Sequence, residues 1–149
     1  CIHARRHVEG LHVPGKRPAA RDQWDDIFVQ AMGSPDPKQI DGMGGCVSSN
    51  NKIVVVNKSD RPGIDVDYIV GQSIVGQSKI DYKSNCGNMT AATAPFAVEM
   101  GLVEHLTEPT TVVHLFNLNT NKPLMWKFLS RTASLTTRAT APLPVWTAL

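Results

Sequence analysis

The stretch Asn85-Cys86-Gly87-Asn88-Met89-Thr90-Ala91-Ala92-Thr93-Ala94-Pro95-Phe96-Ala97-Val98 decides the fold. From Met89 to Gly101 it is apolar, with no charge before Glu99. A helix that is hydrophobic nearly all round belongs inside a protein, so this segment predicts a central helix enclosed by other elements. Asn88 is the expected N-cap, Pro95 is expected to kink the helix or stop its first part, and Gly101 to end it. Cys86 then stands at the helix mouth. There the amides of the first turn lack partners within the helix, and their dipoles sum to a partial positive charge. A thiolate is stabilised at such a position, and a carboxylate can dock on the same amides. The competing reading is a small buried hydrophobe beside a turn, the commoner role of a free cysteine.

Upstream, the residues predict a sheet to enclose that helix. Lys52-Ile53-Val54-Val55-Val56 is a near-continuous β-branched run, as in a strand buried on both faces. Asp60-Arg61-Pro62-Gly63 makes a turn, and Val66 to Val70 alternates polar and apolar residues as a second strand. Ile69 to Ser78 is Ile-Val-Gly-Gln-Ser written twice, which suggests strand, turn, strand; Lys79 to Tyr82 is the last strand before the cysteine. Gly10 to Val13 is a short strand stopped by Pro14-Gly15. Asp22 caps a helix through Met32, with Trp24, Ile27, Phe28 and Ala31 on its buried face. Downstream, Thr110 to Leu118 reads as a strand ending at Asn119-Thr120-Asn121.

Composition narrows the function classes. The 149 residues, 42% hydrophobic and 19% charged, suit one core and one domain. A net charge of +2 is too small to argue for nucleic acid. The 3 cysteines are far apart and form no CxxC pair, so a reducing, cytoplasmic setting is expected rather than a disulfide scaffold or a zinc knuckle. No apolar run approaches the ~20 residues that span a bilayer. His3 and His7 share a helical spacing but have no third ligand, so no metal site is expected and residues 1–9 read as a basic, solvated tail. The glycines between Ile40 and Cys46 fit neither a phosphate loop nor a dinucleotide fingerprint.

A set of ordered motifs adds a family resemblance. Met32-Gly33-Ser34-Pro35-Asp36-Pro37 is followed by Gln39-Ile40-Asp41-Gly42-Met43-Gly44-Gly45, then by Ser48-Ser49-Asn50-Asn51-Lys52 and Asp65-Val66-Asp67-Tyr68. These lead to Asn85-Cys86-Gly87-Asn88 and Pro95-Phe96-Ala97. The chain resembles the PrpF family of 2-methylaconitate cis-trans isomerases, aconitate and methylitaconate delta-isomerases and oxalomesaconate tautomerases. The resemblance implies an α+β, diaminopimelate epimerase-like domain, with a mixed or antiparallel sheet wrapped around the central hydrophobic helix. It covers residues 10–121, the first of the two domains such enzymes have. Residues 1–9 and 122–149 are read as divergent tails.

What the resemblance implies chemically is a proton shift in an unsaturated di- or tricarboxylate such as aconitate or methylaconitate, with no cofactor. Such a shift needs a base, an acid and donors for the charge that spreads onto the carboxylate. Cys86 is the first catalytic candidate. Lys52 matches the family's catalytic lysine, at the start of the buried strand, where partial burial favours a neutral amine; an exposed strand-end lysine is the competing reading. Asn85, Gly87 and Asn88, with the amides of Met89 and Thr90, are the candidates for holding a carboxylate. Gly44, Gly45, Ser48 and Ser49 are expected to line the same pocket. Cys46 is left structural, and Asp41 is expected to anchor its loop as a hydrogen-bond acceptor. The expected partner is a small carboxylate, with neither nucleic acid nor membrane and with a homodimer left open. The alternative is a truncated, catalytically defective family remnant that binds carboxylate weakly.

Overall fold

The computed structural model describes the backbone of residues 2–5, 8–14 and 21–129, and side chains from 21 to 129. In chain order the elements are strands β1 (Ile2–Arg5) and β2 (Val8–Pro14), helix α1 (Trp24–Met32), and strands β3 (Lys52–Lys58), β4 (Val66–Ser73) and β5 (Ile80–Asp81). Helix α2 (Gly87–Glu99) and strands β6 (Thr110–Asn117) and β7 (Lys122–Leu129) complete them. All seven strands join one mixed sheet in the order β1-β2-β3-β4-β6-β7, with β5 paired to β4. β2 and β3 are parallel, as are β4 and β6, while the other pairs are antiparallel.

The two parallel pairs explain where the helices lie. α1 links β2 to β3, and α2 lies in the link from β4 to β6. Both links step the same way across the sheet, but strand direction reverses between β3 and β4. Two crossovers of one hand must then put their helices on opposite faces. Side-chain alternation along β3 shows this arrangement. Ile53 and Val55 pack with Trp24, Phe28, Val29 and Met32 of α1, whereas Val54 and Val56 pack with Met89, Ala94, Phe96 and Ala97 of α2. A strand covered on both faces has no polar side, which is why its sequence is a continuous Val/Ile run.

The central-helix expectation holds. α2 contacts β1 to β4, and its core cluster extends to Val113 and Leu115 of β6 and Trp126 of β7. Of its residues from Met89 to Val98, all but Pro95 are buried. Full burial of a large apolar side chain such as Phe96 contributes about 1.5–3 kcal/mol, and the alanines at 91, 92, 94 and 97 allow the sheet to approach closely. The buried threonines satisfy themselves by bonding back one turn: Thr93 Oγ1 donates to the Met89 carbonyl at 2.8 Å. Pro95 does not stop the helix, which continues to Glu99. Gly101, at φ +66°, ends it as expected, with its amide on the Val98 carbonyl and that of Leu102 on Ala97.

Several expectations need correction. The helix begins earlier than Asn88: Cys86 is the N-cap, extended at φ −132° and ψ 113°. Ile27 is 46% exposed, and Val29 and Met32 occupy the buried face of α1 in its place. Ile2–Arg5 is a strand rather than a solvated tail, and Lys122–Leu129, the start of the expected C-terminal tail, is a strand paired with β6. The two copies of Ile-Val-Gly-Gln-Ser differ: the first lies in β4, and the second forms the turn before β5. The remainder of the expected C-terminal tail lies outside the described residues.

Candidate active site

Lys52 and Cys86 are placed by different elements on one side of the sheet. Lys52 is the first residue of β3, and alternation puts it on the face of Val54 and Val56, the face α2 covers. Cys86 caps α2 and packs, half-buried, against that same cluster. Lys52 Nζ donates to Gln72 Oε1, its register partner on β4. Asn85, Gly87 and Asn88 are exposed around the thiol.

The first backbone bond at the start of α2 runs from the Thr90 amide to the Cys86 carbonyl at 2.9 Å. The amides of Gly87, Asn88 and Met89 precede it and lack a partner within the helix. Thr90 therefore drops out as a carboxylate donor: its amide is committed and its side chain is fully buried. Met89 keeps its amide at the mouth while its side chain is core.

Thr90 instead belongs to a buried polar network beneath the cysteine. Asn117 Nδ2 donates to Tyr68 Oη at 2.7 Å and to Asn85 Oδ1 at 2.9 Å. Tyr68 Oη and Thr90 Oγ1 are 2.9 Å apart, and Thr90 Oγ1 donates to the Cys86 carbonyl at 3.1 Å. With the Thr90 proton committed to that carbonyl, the Tyr68 hydroxyl is the donor to Thr90. The network thus runs from β6 through β4 to the backbone of Cys86. Burial pushes the Tyr68 phenol up, opposed by its bonds to Thr90 and Asn117.

Asn119 supports the loop from the other side. Its Oδ1 accepts the Val70 amide at 2.8 Å, and its Nδ2 donates to the carbonyls of Val70 at 2.8 Å and Tyr82 at 2.6 Å. It replaces the backbone ladder where β6 leaves β4. Sequence reasoning missed Asn117, Asn119 and Tyr68 as site-supporting residues. The available signal was an asparagine ending an otherwise alternating apolar strand.

The glycine loop is built largely for packing. A Cβ on Gly44 would stand 2.4 Å from Asn51 Oδ1 and 2.6 Å from both Gln39 Nε2 and the Met32 carbonyl. Asn51 Nδ2 holds the carbonyls of Gly45 at 2.5 Å and Val47 at 2.8 Å. Ser48 meets the Lys52 system through its carbonyl, which accepts Gln72 Nε2 at 2.7 Å, while Ser49 Oγ turns to Asn50 Oδ1 at 3.1 Å. Asp36, rather than Asp41, anchors the preceding loop by accepting the amides of Lys38 and Ile40 at 3.0 and 3.3 Å. Cys46 is exposed. An open cleft lined by Lys58, Asp65, Glu104 and His105 lies at the far end of β3 from Lys52.

Comparison with known proteins places this geometry in a family. The PrpF protein family matches residues 11–129, and the chain belongs to it. It is 47% identical over 113 residues to the (4E)-oxalomesaconate Delta-isomerase of Novosphingobium sp. (strain KA1), covering 76% of this chain and 31% of that protein. It is 43% identical over 122 residues to the 2-methyl-aconitate isomerase of Cupriavidus necator, covering 78% of this chain and 29% of that one. The crystal structure of a methylitaconate-delta-isomerase superposes with a TM-score of 0.79 at 32% identity, over 85% of this chain and 33% of the other. The chain spans about 30% of the length of the curated relatives it matches. Among the described residues no helix is long and apolar enough to cross a membrane.

Proposed function

We propose that this domain carries the proton-transfer pair of a cofactor-independent isomerase acting on unsaturated di- and tricarboxylates such as aconitate or methylaconitate. The observation that carries the reading is the position of Cys86 at the mouth of α2, on the sheet face that also bears Lys52. The names of the relatives, isomerases of oxalomesaconate and methylaconitate, support the substrate class. A substrate carboxylate docks on the amides of Gly87, Asn88 and Met89. One of the pair removes the allylic proton, and negative charge spreads onto that carboxylate, where the amides oppose it. The other returns a proton at the far end of the allyl system, or at the same end after rotation. Loss of one such donor typically costs ~10²–10³-fold in rate. A reducing cytoplasm suits a mechanism that needs Cys86 as a free thiol.

Incubating aconitate or methylaconitate with the protein in deuterated water tests this. Deuterium enters the substrate with the wild type and fails to enter with Cys86→Ser or Lys52→Ala. Exchange that persists in both variants refutes the assignment. A second reading, weak carboxylate binding without turnover, is favoured by the exposure of Asn85, Gly87 and Asn88. Water at an open site weakens the electrostatic stabilisation of the intermediate. Protection of Cys86 from alkylation by aconitate, without any exchange, distinguishes it.

A further inference from the structure

Lys52 stands between two register partners, Gly10 on β2 and Gln72 on β4, and of these only Gln72 carries a side chain. Gln72 Oε1 accepts from Lys52 Nζ, and Gln72 Nε2 donates to the Ser48 carbonyl at 2.7 Å. The amide is therefore held at both ends, by the strand on one side and by the turn entering β3 on the other. Among the described residues no carboxylate forms an ion pair with Lys52. The carboxylate opposite Gln72 on the next strand is Asp81, whose Oδ1 accepts the Lys83 amide at 3.0 Å.

A neutral acceptor and a charged one would do different things here. An amide oxygen fixes the direction of Nζ without locking the amine in its charged form. A carboxylate at the same spot would favour the ammonium strongly and would compete for it with a substrate carboxylate. The repeated pentapeptide supplies an internal comparison. Gln72 in the first copy lies on the α2 face of β4, whereas Gln77, the same residue of the second copy, is exposed in the turn.

We infer that Gln72 is a positioning residue for Lys52, clamping its amine between the two strands while leaving its charge uncompensated for a substrate carboxylate. The inference rests on the role proposed above for Lys52, but its test does not depend on turnover. Competitive acetylation of the full chain by acetic anhydride, read peptide by peptide by mass spectrometry, measures the reactivity of each amine. Lys79, which is exposed, serves as the reference. At mildly alkaline pH, Gln72→Glu lowers Lys52 labelling roughly tenfold relative to Lys79, because an adjacent anion holds the ammonium form. Gln72→Lys raises it, with the opposite sign, so either variant suffices if the other does not fold. Gln77→Glu leaves Lys52 labelling unchanged. Equal labelling in the wild type and both Gln72 variants, or an equal drop in Gln77→Glu, overturns the inference. Absence of deuterium exchange with the labelling pattern intact counts against the isomerase reading alone. Exchange with a flat labelling pattern counts against the clamp alone.

Discussion

Asn117 Nδ2 donates to Asn85 Oδ1 at 2.9 Å, tying the last residue of β6 to the residue that precedes Cys86. The same amide donates to the Tyr68 hydroxyl, so one fully buried side chain holds both the sheet and the loop. Removing it takes a donor from the buried Tyr68 hydroxyl and unties the exposed Asn85, which costs about 1–3 kcal/mol. Asn117→Ala is therefore expected to lower the unfolding free energy measured by urea denaturation by that much, seen as a lower urea midpoint. It should also alter the iodoacetamide reactivity of Cys86 while the exposed Cys46 stays constant. An unchanged midpoint would show the network to be dispensable.

Tyr68 gives the fold an alkaline limit. Burial raises its phenol above the ordinary 10.0, so the folded state favours the protonated form. The sign follows from linkage: this contribution is complete below the unfolded value and is lost as pH climbs from there through the folded one. Stability should fall above about pH 10, and Tyr68→Phe, although less stable at neutral pH, should show a flatter alkaline limb. Parallel limbs for the two proteins would rule Tyr68 out as the group responsible.

Two glycines separate backbone crowding from side-chain crowding. A Cβ at Gly44 meets the Met32 carbonyl and two amide side chains inside 2.7 Å, whereas one at Gly71 meets Ile80 Cγ2 at 2.9 Å and Tyr82 Cε1 at 3.0 Å. The Met32 carbonyl is fixed at the end of α1, whereas the neighbours of Gly71 are side-chain atoms alone and sit farther away. Gly44→Ala should destabilise by about 1–3 kcal/mol and Gly71→Ala by less. Thermal melts of the two variants check the ranking, and the reverse order would contradict it.

The Lys58–Glu104 ion pair is expected to contribute little. Both side chains are more than half exposed. Lys58 holds the Glu104 carboxyl below its usual range, so whatever the pair contributes is present near neutrality and lost as pH falls through that lowered value. Exposed pairs are screened by water and salt. Glu104→Gln should leave the melting temperature essentially unchanged in physiological salt; a clear drop would mean the pair is structural.

The central parts of the fold could be read from residues because their burial leaves an unambiguous pattern. β3 is covered on both faces and α2 all round, so each is a continuous apolar run. The edges could not. β7 buries only Trp126 fully and begins with Lys122-Pro123, so it shows no alternation despite pairing with β6 along its whole length. The duplicated pentapeptide shows the limit of local sequence more sharply. Ile69–Ser73 is a strand because β3 pairs with it, while the identical Ile74–Ser78 turns because β5 must fold back onto β4. Cys86 is legible from its place at the mouth of an all-apolar helix, whereas Lys52 depends on the ordered motifs. The network under Cys86 depends on Asn117 and Tyr68, distant in sequence, meeting across parallel strands, which no local pattern announces.

The claim on which the account depends is that the Cys86 thiol and the Lys52 amine share one pocket. A short heterobifunctional linker, maleimide at one end and succinimidyl ester at the other, tests it without any assumption about substrate. Anchored on Cys86, the linker should join the Cys86 peptide to the Lys52 peptide, and a saturating carboxylate should suppress that product. Capture of other lysines from Cys86, with Lys52 never among them, would contradict the account.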